Sequence, residues 1–480
     1  ADSARLSVVT TTASDVSCVE DEKEIIADSP ACARPTPVSM APVRSSAITQ
    51  KRSCPLSLPI AILYCRQRSQ VCQSAPVGGI LAHDAGSGLD ASHITREVGY
   101  VMDILLTEQE RMFRQQMRDF VDSEIAPCVD EWDRRNELAF EAFQKMASVG
   151  LTGLTIAEEY GGQGGSLMDA YLMSVELARA SISIASIMGT HLGLALSGIY
   201  RFGNEDQKLR YVVPAAKGEK LCAFGLTERE ASSDVSGMST VARQEGDEWV
   251  LNGGKCFISN GDKADIILTF ATIDRSLGAR GITAFIVEKG MPGFSVGKIE
   301  DKLGIRAESV AELNFDDVRV PAANLVGEPG KGMRIALATL DEGRLDVSGQ
   351  GVGVASAALD AAIAYSKQRK QFGQTISEFQ GIQWMLVDMA NAVDAAWLMG
   401  YRAARLADSG QRFSKEVAQA KLFAAEAAMD VVRKSLQIHG GYGFMKDLPI
   451  ERYYRDAKIL EIYEGTSEVQ RLVISRALLG

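Results

Sequence analysis

The sequence predicts an α+β protein that is mainly α, with two helical segments and a β segment between them. Apolar residues recur at helical spacing over 102–220 and again over 331–480. Over 221–330 they follow the period of β-strands instead. Because the strands are gathered in one segment and do not alternate with helices, the pattern favours α+β over a doubly wound α/β sheet.

Residues 1–101 differ in composition from the rest of the chain. They hold more than half of the 13 prolines and contain no Phe and no Trp. Such a segment can bury little apolar surface, so we interpret it as a disordered extension, a leader or an artefact of start-site assignment. Its acidic run "EDEKE" at 20–24 is unlike the Arg-rich, acid-poor composition of a transit peptide.

A helical N-terminal domain is predicted over 102–220. Thr107 and Glu110 have the spacing of a capping box, and apolar residues follow them at helical intervals. The glycine-rich stretch "YGGQGG" at 160–165 predicts a turn, and Ser166 is the expected N-cap of the next helix.

The middle segment, 221–330, is predicted to be a β domain. "ADIILTF" and "GITAFIVE" have the composition of strands. In "EWVLNGGKCFISN", the pair Asn252-Gly253 stands between two extended runs. That pair is a strong hairpin signal, so we predict a β-turn there.

The C-terminal segment, 331–480, is rich in Ala, Leu and Met and predicts a helical bundle. "GQGVGVASA" at 349–357 lacks the preceding strand of a dinucleotide-binding turn, so we interpret its glycines as sites of close helix packing. A last helix is expected to begin at Thr466 or Ser467.

Composition argues against several classes of site. The formal net charge of −11 disfavours a nucleic-acid surface, because neutralising phosphates requires clustered Lys and Arg. "LSLPIAILYC", the longest apolar run of the first hundred residues, is too short for a bilayer, so no membrane span is expected. The 8 cysteines form no C-x-x-C pair and the 4 histidines are scattered, which predicts no metal site. His191 stands in an apolar helical setting and is interpreted as a core residue.

The strongest functional signal is a set of motifs that ends near the C-terminus. Glu464 precedes Gly465 in "EIYEGTSEVQRLVISRALL", and alone this would be an ordinary carboxylate before a helix. Four further motifs precede it: "EDKLGIR" (300–306), "RKQFG" (369–373), "QIHGGYGF" (437–444) and "RDAKI" (455–459). From about Leu106 to Leu479 the chain resembles the acyl-CoA dehydrogenase family, most closely its short-chain, butyryl-type branch.

The resemblance implies a middle domain that is β-barrel-like and a C-terminal four-helix bundle. It also implies FAD-dependent α,β-dehydrogenation of short- or medium-chain acyl-CoA thioesters to 2-enoyl-CoA, with FAD N5 as the hydride acceptor. The α-proton of a thioester is only weakly acidic, so its removal requires a desolvated carboxylate of raised pKa. The resemblance assigns that role to Glu464.

One branch of the family carries its catalytic glutamate elsewhere, directly before the arginine of the segment that matches "LDEGR". Gly343 occupies that position here, so this alternative placement is absent. Glu342 lies one residue further away and is expected to be a solvated carboxylate.

The resemblance further implies which residues bind FAD and substrate. Arg369 and Gln380 would reach the FAD of a neighbouring subunit, and the planar guanidinium of Arg369 suits its pyrophosphate. The residues implied to bind FAD are Phe224, Leu226, Thr227, Ser233, Phe257, Ile258, Ser259, Arg369, Phe372, Gln380, Gln437, Ile438, Gly440, Gly441, Thr466, Ser467 and Glu468. Those implied to bind the substrate are Ser233, Asp341, Arg344, Tyr463 and Gly465.

By the same resemblance the protein would be a homotetramer, a dimer of dimers in which partners share each FAD. Its electrons would pass to an electron-transferring flavoprotein. The expected location is the bacterial cytoplasm, with the mitochondrial matrix as the alternative.

The loop "LTEREASSD" at 226–234 departs from the family pattern Thr-Glu-Pro-Gly-Ala-Gly-Ser-Asp. Arg229, Glu230 and Ser232 replace its Pro and two Gly, while Thr227 and Ser233 keep their hydroxyls. Where a lost glycine had positive φ, a side chain would cost on the order of 1 kcal/mol or more. Two alternatives stay open: an acyl-CoA oxidase, and a non-catalytic relative acting as a binding or assembly subunit.

Overall fold

The computed structural model describes residues 102–480, with side chains from residue 104 onward. The predictions for 1–101 lie outside the described residues. The described chain forms an N-terminal helical domain, a middle β-sheet domain and a C-terminal helical domain, in that order. The predicted fold class, α+β and mainly α, is confirmed.

The N-terminal domain is a set of short helices around an apolar core. Thr107 and Ser166 cap its two longest helices through capping boxes with Glu110 and Asp169, and each hydroxyl accepts a backbone N–H that lacks a partner within the helix. The helices are α1 (Glu108–Phe120), α2 (Val129–Arg135), α3 (Phe140–Ser148), α4 (Leu167–Ala180), α5 (Ile182–Met188), α6 (Ser197–Phe202), α7 (Glu205–Gln207) and α8 (Val213–Ala216). Three π-helical segments accompany them: Val121–Ile125, Gly189–Leu196 and Lys208–Val212.

The middle domain is an 8-stranded sheet. Its strands are β1 (Cys222–Gly225), β2 (Val241–Glu245), β3 (Glu248–Ser259), β4 (Ile266–Thr272), β5 (Ile282–Glu288), β6 (Phe294–Ile299), β7 (Val310–Pro321) and β8 (Leu325–Val326). The order across the sheet is β6-β7-β3-β2-β4-β5-β8, and β1 pairs in parallel with β4. Trp249 and Phe285 pack against each other in the core of this sheet, with their ring planes inclined at 59°.

The predicted turn at Asn252-Gly253 is wrong. Both residues lie inside β3, where the pairing with β7 shifts register between Leu251 and Gly253. The Asn252 side chain exchanges two hydrogen bonds with Asp317 on β7, at 2.9 and 3.0 Å, and so holds the irregularity within the sheet. The actual turn joins β2 to β3 through Gly246, at φ +65°.

The C-terminal domain is built around one long central helix. Its elements are α9 (Gly332–Gln368), β9 (Lys370–Gln371), β10 (Gln374–Thr375), α10 (Gln380–Asp408), α11 (Ser414–His439), α12 (Ile450–Ala457) and α13 (Ser467–Leu479). The glycines of "GQGVGVASA" lie in α9 at close helix contacts. A Cβ at Gly351 would lie 2.8 Å from Ala424 O in α11, and one at Gly353 would lie 2.3 Å from Val175 O in α4.

Two helical stretches among the described residues are long and apolar enough to cross a membrane, Ile182–Phe202 and Gly332–Gln368. In the fold, 94% and 67% of their most apolar windows are buried. Both therefore pack as interior helices. Their faces form much of the wall of the site described next.

Candidate active site

Glu464 lies in a backbone turn that is unfavourable for an ordinary residue. Its φ is +55° and that of Gly465 is +89°, and positive φ at a non-glycine residue costs roughly 1–2 kcal/mol. Two buried side chains hold this turn in place. Lys421 Nζ donates to Gly465 O at 2.8 Å, and Gln470 Nε2 donates to Glu464 O at 3.0 Å and to Gly465 O at 2.9 Å.

The carboxylate of Glu464 faces Gly343 on α9. A Cβ at position 343 would lie 2.7 Å from Glu464 Oε2 and 2.9 Å from Leu194 Cδ2, so glycine leaves the carboxylate its space. Among the described residues, Oε2 has no hydrogen-bond partner. Burial raises the pKa of Glu464 to about 7, and the positive charges of Arg344 and Lys421 oppose that rise. This carboxylate is able to accept a proton near neutral pH.

Glu464 lines a cavity of about 590 Å³. The wall combines residues of α9, of the π-helical segment Gly189–Leu196, of the sheet edge and of the turn before α13. More than half of the residues expected from the sequence line it. They are Phe224, Leu226, Thr227, Ser233, Phe257, Ile258, Ser259, Arg344, Tyr463, Glu464, Gly465 and Thr466.

The cavity wall fits a flat aromatic group such as a flavin. Phe257 is 64% exposed and has φ +58°, in a stretch of β3 where the pairing with β7 is again irregular. An exposed aromatic face on a cavity wall offers a stacking surface. The hydroxyls of Thr227, Ser233, Ser259 and Thr466 line the same cavity and supply hydrogen-bonding groups.

The loop 226–234 takes a path that tolerates the loss of its glycines. Among the described residues with positive φ, none lies in this loop, so Glu230 and Ser232 are not strained there. Glu230 is exposed. The loop is anchored by buried Glu228, which pairs with Lys255 Nζ at 2.7 Å and accepts from Ser239 N at 2.6 Å. This ion pair and its hydrogen bonds lower the pKa of Glu228 to about 2, against the opposing effect of burial.

A second group of predicted residues does not line this cavity. Arg369 and Phe372 lie in the connection between α9 and α10, and Gln380 is the first residue of α10. Gln437 and Ile438 lie in the last turn of α11, and Gly440 and Gly441 follow it. These two segments lie close together: the Arg369 guanidinium is 5.7 Å from the ring centroid of Tyr442. Phe372 is 94% exposed. Ser467 and Glu468, at the start of α13, also lie outside the cavity wall.

Two acidic residues before Arg344 are placed differently from each other. Asp341 does not line the cavity but accepts from Arg344 Nη1 at 2.7 Å and from Ser414 Oγ at 2.5 Å, so it orients the arginine. The expectation that Glu342 is solvated is wrong. Its side chain is 11% exposed, accepts from Ser197 Oγ at 2.6 Å and pairs with Arg201, because the π-helical segment and α6 pack against this face of α9.

Several residues around Glu464 were not predicted from the sequence. Lys421 and Gln470 were missed because their spacing along the chain carries no motif, although a Lys within an Ala-rich helical face is an unusual core residue. Asp346 and Gln350 also line the cavity. An acidic residue three positions after Gly343, on the same helical face, was the available signal.

Comparisons with known proteins agree with this architecture. Three family models match: the acyl-CoA dehydrogenase N-terminal domain at 107–219, the middle domain at 223–318 and the C-terminal domain at 330–479. A short-chain specific acyl-CoA dehydrogenase of Clostridium acetobutylicum is 47% identical over 374 residues, covering 78% of this chain and 99% of the relative.

Two solved structures are similar over the same region. Butyryl-CoA dehydrogenase from Megasphaera elsdenii has a TM-score of 0.77 at 44% identity, covering 79% of this chain and 100% of that chain. A chain in a structure described as the electron transferring flavoprotein of Acidaminococcus fermentans has a TM-score of 0.77 at 45% identity, covering 78% and 99%. The family models alone span well over half of the chain. The chain therefore belongs to the acyl-CoA dehydrogenase family, whose members are FAD-dependent oxidoreductases that act on acyl-CoA.

Proposed function

We propose that this enzyme oxidises a short- or medium-chain acyl-CoA between Cα and Cβ, and that Glu464 is the base that removes the α-proton. The observation that carries the proposal is the state of the Glu464 carboxylate. It lines the cavity, its Oε2 is unpartnered among the described residues, and burial raises its pKa to about 7. A desolvated carboxylate of this kind is a stronger base than one in water.

The turn that carries Glu464 gives the base a fixed position. Lys421 and Gln470 donate hydrogen bonds to the backbone carbonyls of residues 464 and 465. The backbone N–H of Glu464 is then assigned to donate to the thioester oxygen, where negative charge develops as the α-proton leaves. Arg344 is buried, and its hydrogen bond to Asp341 fixes its position. It places a positive charge beside the base.

We assign FAD to the cavity wall formed by Phe257, Ile258, Ser259, Thr227 and Ser233, and its chemistry when bound is to accept the hydride from Cβ. Phe257 offers a stacking face, and the hydroxyls offer hydrogen bonds to a polar ring edge. Phe224, Leu226 and Thr466 complete the wall.

We further propose a homotetramer in which a partner subunit contributes to each site. Arg369, Phe372 and Gln380 lie outside their own chain's cavity and are exposed, and so are Gln437, Gly440 and Gly441. A guanidinium presented on the outer surface is available to the diphosphate of a neighbouring chain's FAD. An electron-transferring flavoprotein is proposed as electron acceptor, which the similarity to a chain in such a structure supports.

The test is the reaction of the purified FAD-loaded protein with butyryl-, hexanoyl- and octanoyl-CoA. We expect 2-enoyl-CoA to accumulate with a dye or an electron-transferring flavoprotein as acceptor under argon. Absence of enoyl product from every acyl-CoA contradicts the proposal. Turnover in air at the same rate without that acceptor, with hydrogen peroxide formed, would identify the enzyme as an oxidase instead.

A further inference from the structure

One part of the cavity wall is polar in a way that α,β-dehydrogenation does not require. Asp346 lies one helical turn beyond Gly343 on α9, and Gln350 lies one turn further, so the three positions share a face of the helix. All three line the cavity. Acyl chains of the simple saturated kind offer hydrogen bonds to neither side chain, and burying carboxyl groups against them is unfavourable.

Asp346, Gln350 and Tyr463 form a hydrogen-bonded chain. Gln350 Nε2 donates to Asp346 Oδ2 at 2.6 Å, and Tyr463 OH donates to Gln350 Oε1. Tyr463 directly precedes Glu464, so these hydrogen bonds connect the polar part of the cavity wall to the turn that carries the base. The geometry fixes which way the Gln350 amide points, and it leaves Asp346 as an acceptor.

Gly189 gives the Asp346 carboxyl its space. A Cβ at position 189 would lie 2.1 Å from Asp346 Oδ2 and 2.8 Å from its Cγ. The carboxyl therefore lies directly against the π-helical segment Gly189–Leu196, on the opposite wall of the cavity. A larger residue at 189 would exclude the carboxyl from this position.

A second carboxyl lies behind the same region. Glu308 is 0% exposed, and neither of its carboxyl oxygens has a hydrogen-bond partner among the described residues. The hydroxyls of Ser259 and Ser186 oppose the rise of the Glu308 pKa, and both of these residues line the cavity. Burial raises the pKa of both Glu308 and Asp346 to about 7. Glu308 itself does not line the cavity, so it acts on this part of the wall through its electrostatic interaction with Asp346.

We propose that Asp346 and Gln350, here named the acceptor cluster, recognise a hydrogen-bond donor on the acyl chain of the substrate, a hydroxyl or an amino group beyond the two reacting carbons. The inference rests on the proposed function, because it places this donor on the same acyl group whose α-proton Glu464 removes. A hydroxyl suits carboxyl groups that are partly protonated at neutral pH, and an ammonium group suits ionised ones.

The test compares ligands that differ in one group. Valeryl-CoA and 4-hydroxybutyryl-CoA have nearly the same shape, with a methyl group in one where the other has a hydroxyl, and freshly made 4-aminobutyryl-CoA carries an ammonium group. Binding is measured by calorimetry on FAD-loaded Glu464→Gln protein, which holds the ligand without consuming it. The same titrations are made with Asp346→Asn and Asp346→Ala added. Asp360→Asn is the control, because Asp360 is on the same helix but pairs with Arg179 at the surface.

We expect the hydroxyl or the amino ligand to bind about tenfold or more tightly than valeryl-CoA, as a buried acceptor discriminates against a missing donor. Asp346→Ala should bring that ratio close to one, and Asp360→Asn should leave it unchanged. The tighter of the two polar ligands identifies the donor as neutral or cationic. Asp346→Asn keeps the size of the side chain, so a folding defect in the alanine variant does not remove the test.

Equal binding of valeryl-CoA and both polar ligands would overturn the inference, and so would a ratio that neither Asp346 variant changes. Turnover by the protein with native Glu464 separates this from the proposed function. Selective binding with no enoyl product from these three ligands or from butyryl-, hexanoyl- and octanoyl-CoA would refute the proposed function and leave the acceptor cluster standing. Oxidation of all three ligands with equal binding would support the proposed function and refute the acceptor cluster.

Discussion

Gly343 and Glu464 reach the same point of the cavity from two different elements: a Cβ on Gly343 would lie 2.7 Å from Glu464 Oε2. One residue lies on the central helix α9 and the other in the turn before α13. The family resemblance raised both positions as places for a catalytic glutamate. The structure explains why a chain carries only one of them, since a side chain at 343 would occupy the space of the Glu464 carboxylate.

This relationship predicts that the base can be moved. Glu464→Gly should abolish turnover of butyryl-CoA, and adding Gly343→Glu should recover at least about tenfold activity over that variant, because general-base catalysis contributes about 10²–10⁴-fold. Gly343→Glu alone should be poorly active, since two carboxyl groups would compete for one space. Failure of the double variant to recover activity, while it still binds FAD and butyryl-CoA, would contradict the shared position.

The pH dependence of the reaction should report Glu464. The base acts only when ionised, so kcat/KM should rise with pH and reach half its plateau near pH 7, the value to which burial raises the pKa of Glu464. The charge of Lys421 lowers that pKa, so Lys421→Met should move the midpoint to higher pH. Lys421→Arg keeps the charge and should restore the midpoint. An unchanged midpoint in Lys421→Met would rule out this electrostatic role.

The buried ion pair Glu228–Lys255 should contribute to the free energy of unfolding. Their side chains are 3% and 0% exposed, and breaking a buried pair by removing one partner costs about 3–5 kcal/mol. Lys255→Met should lower the free energy of unfolding in urea by that amount. The control is Arg229→Ala, which removes a surface pair with Glu312 and should cost below about 1 kcal/mol. Similar losses in both variants would refute the anchoring role.

The sign of the pH effect on this pair follows from Glu228. Its pKa falls to about 2 in the folded protein from an ordinary 4.5, so its contribution is present above pH 4.5 and is lost as the pH falls towards 2. The stability gap between the native protein and Lys255→Met should therefore narrow over that acidic range. Chemical denaturation at several pH values measures it.

The proposed sharing of FAD between subunits predicts complementation. Arg369 lies outside its own cavity, so Arg369→Ala and Glu464→Gln would disable different sites in a mixed oligomer. Co-expression with two affinity tags should yield hybrids in which one site has both Glu464 and the partner subunit's Arg369 intact. We expect these hybrids to be at least about tenfold more active than Glu464→Gln alone, since a general base contributes about 10²–10⁴-fold, and more active than Arg369→Ala alone. Inactive hybrids would contradict the sharing.

Much of the fold followed from sequence because its signals are local. The capping box at Thr107 and the N-cap at Ser166 satisfy backbone groups within one helical turn, and both were predicted from the sequence. The predicted turn at Asn252-Gly253 was wrong because the turn preference of this pair is a local property. The pairing of Asn252 with Asp317 brings together residues far apart in the chain. A contact of that kind overrides a turn propensity and leaves no mark in the dipeptide.

The residues of the site also fall into those that the sequence indicates and those that only the fold brings together. Glu464, Phe257 and Thr227 were found through the family resemblance, and they line one cavity. Lys421 and Asp346 were not found, because what matters about them is the element that they face. Lys421 can bind the carbonyl of Gly465 only because α11 packs behind that turn. Asp346 has space for its carboxyl only because Gly189 lies opposite it.

The most direct test of the account is a single-turnover measurement with the FAD-loaded protein and butyryl-CoA under argon at pH 8, comparing the native chain with Glu464→Gln. Glu426→Gln is the matched control, since Glu426 pairs with Arg471 on the surface. If Glu464 is the base, enoyl-CoA formation should slow by about 10²–10⁴-fold in Glu464→Gln while butyryl-CoA still binds, and the control should match the native rate. A Glu464→Gln protein that forms enoyl-CoA within a few-fold of the native rate would contradict the central claim.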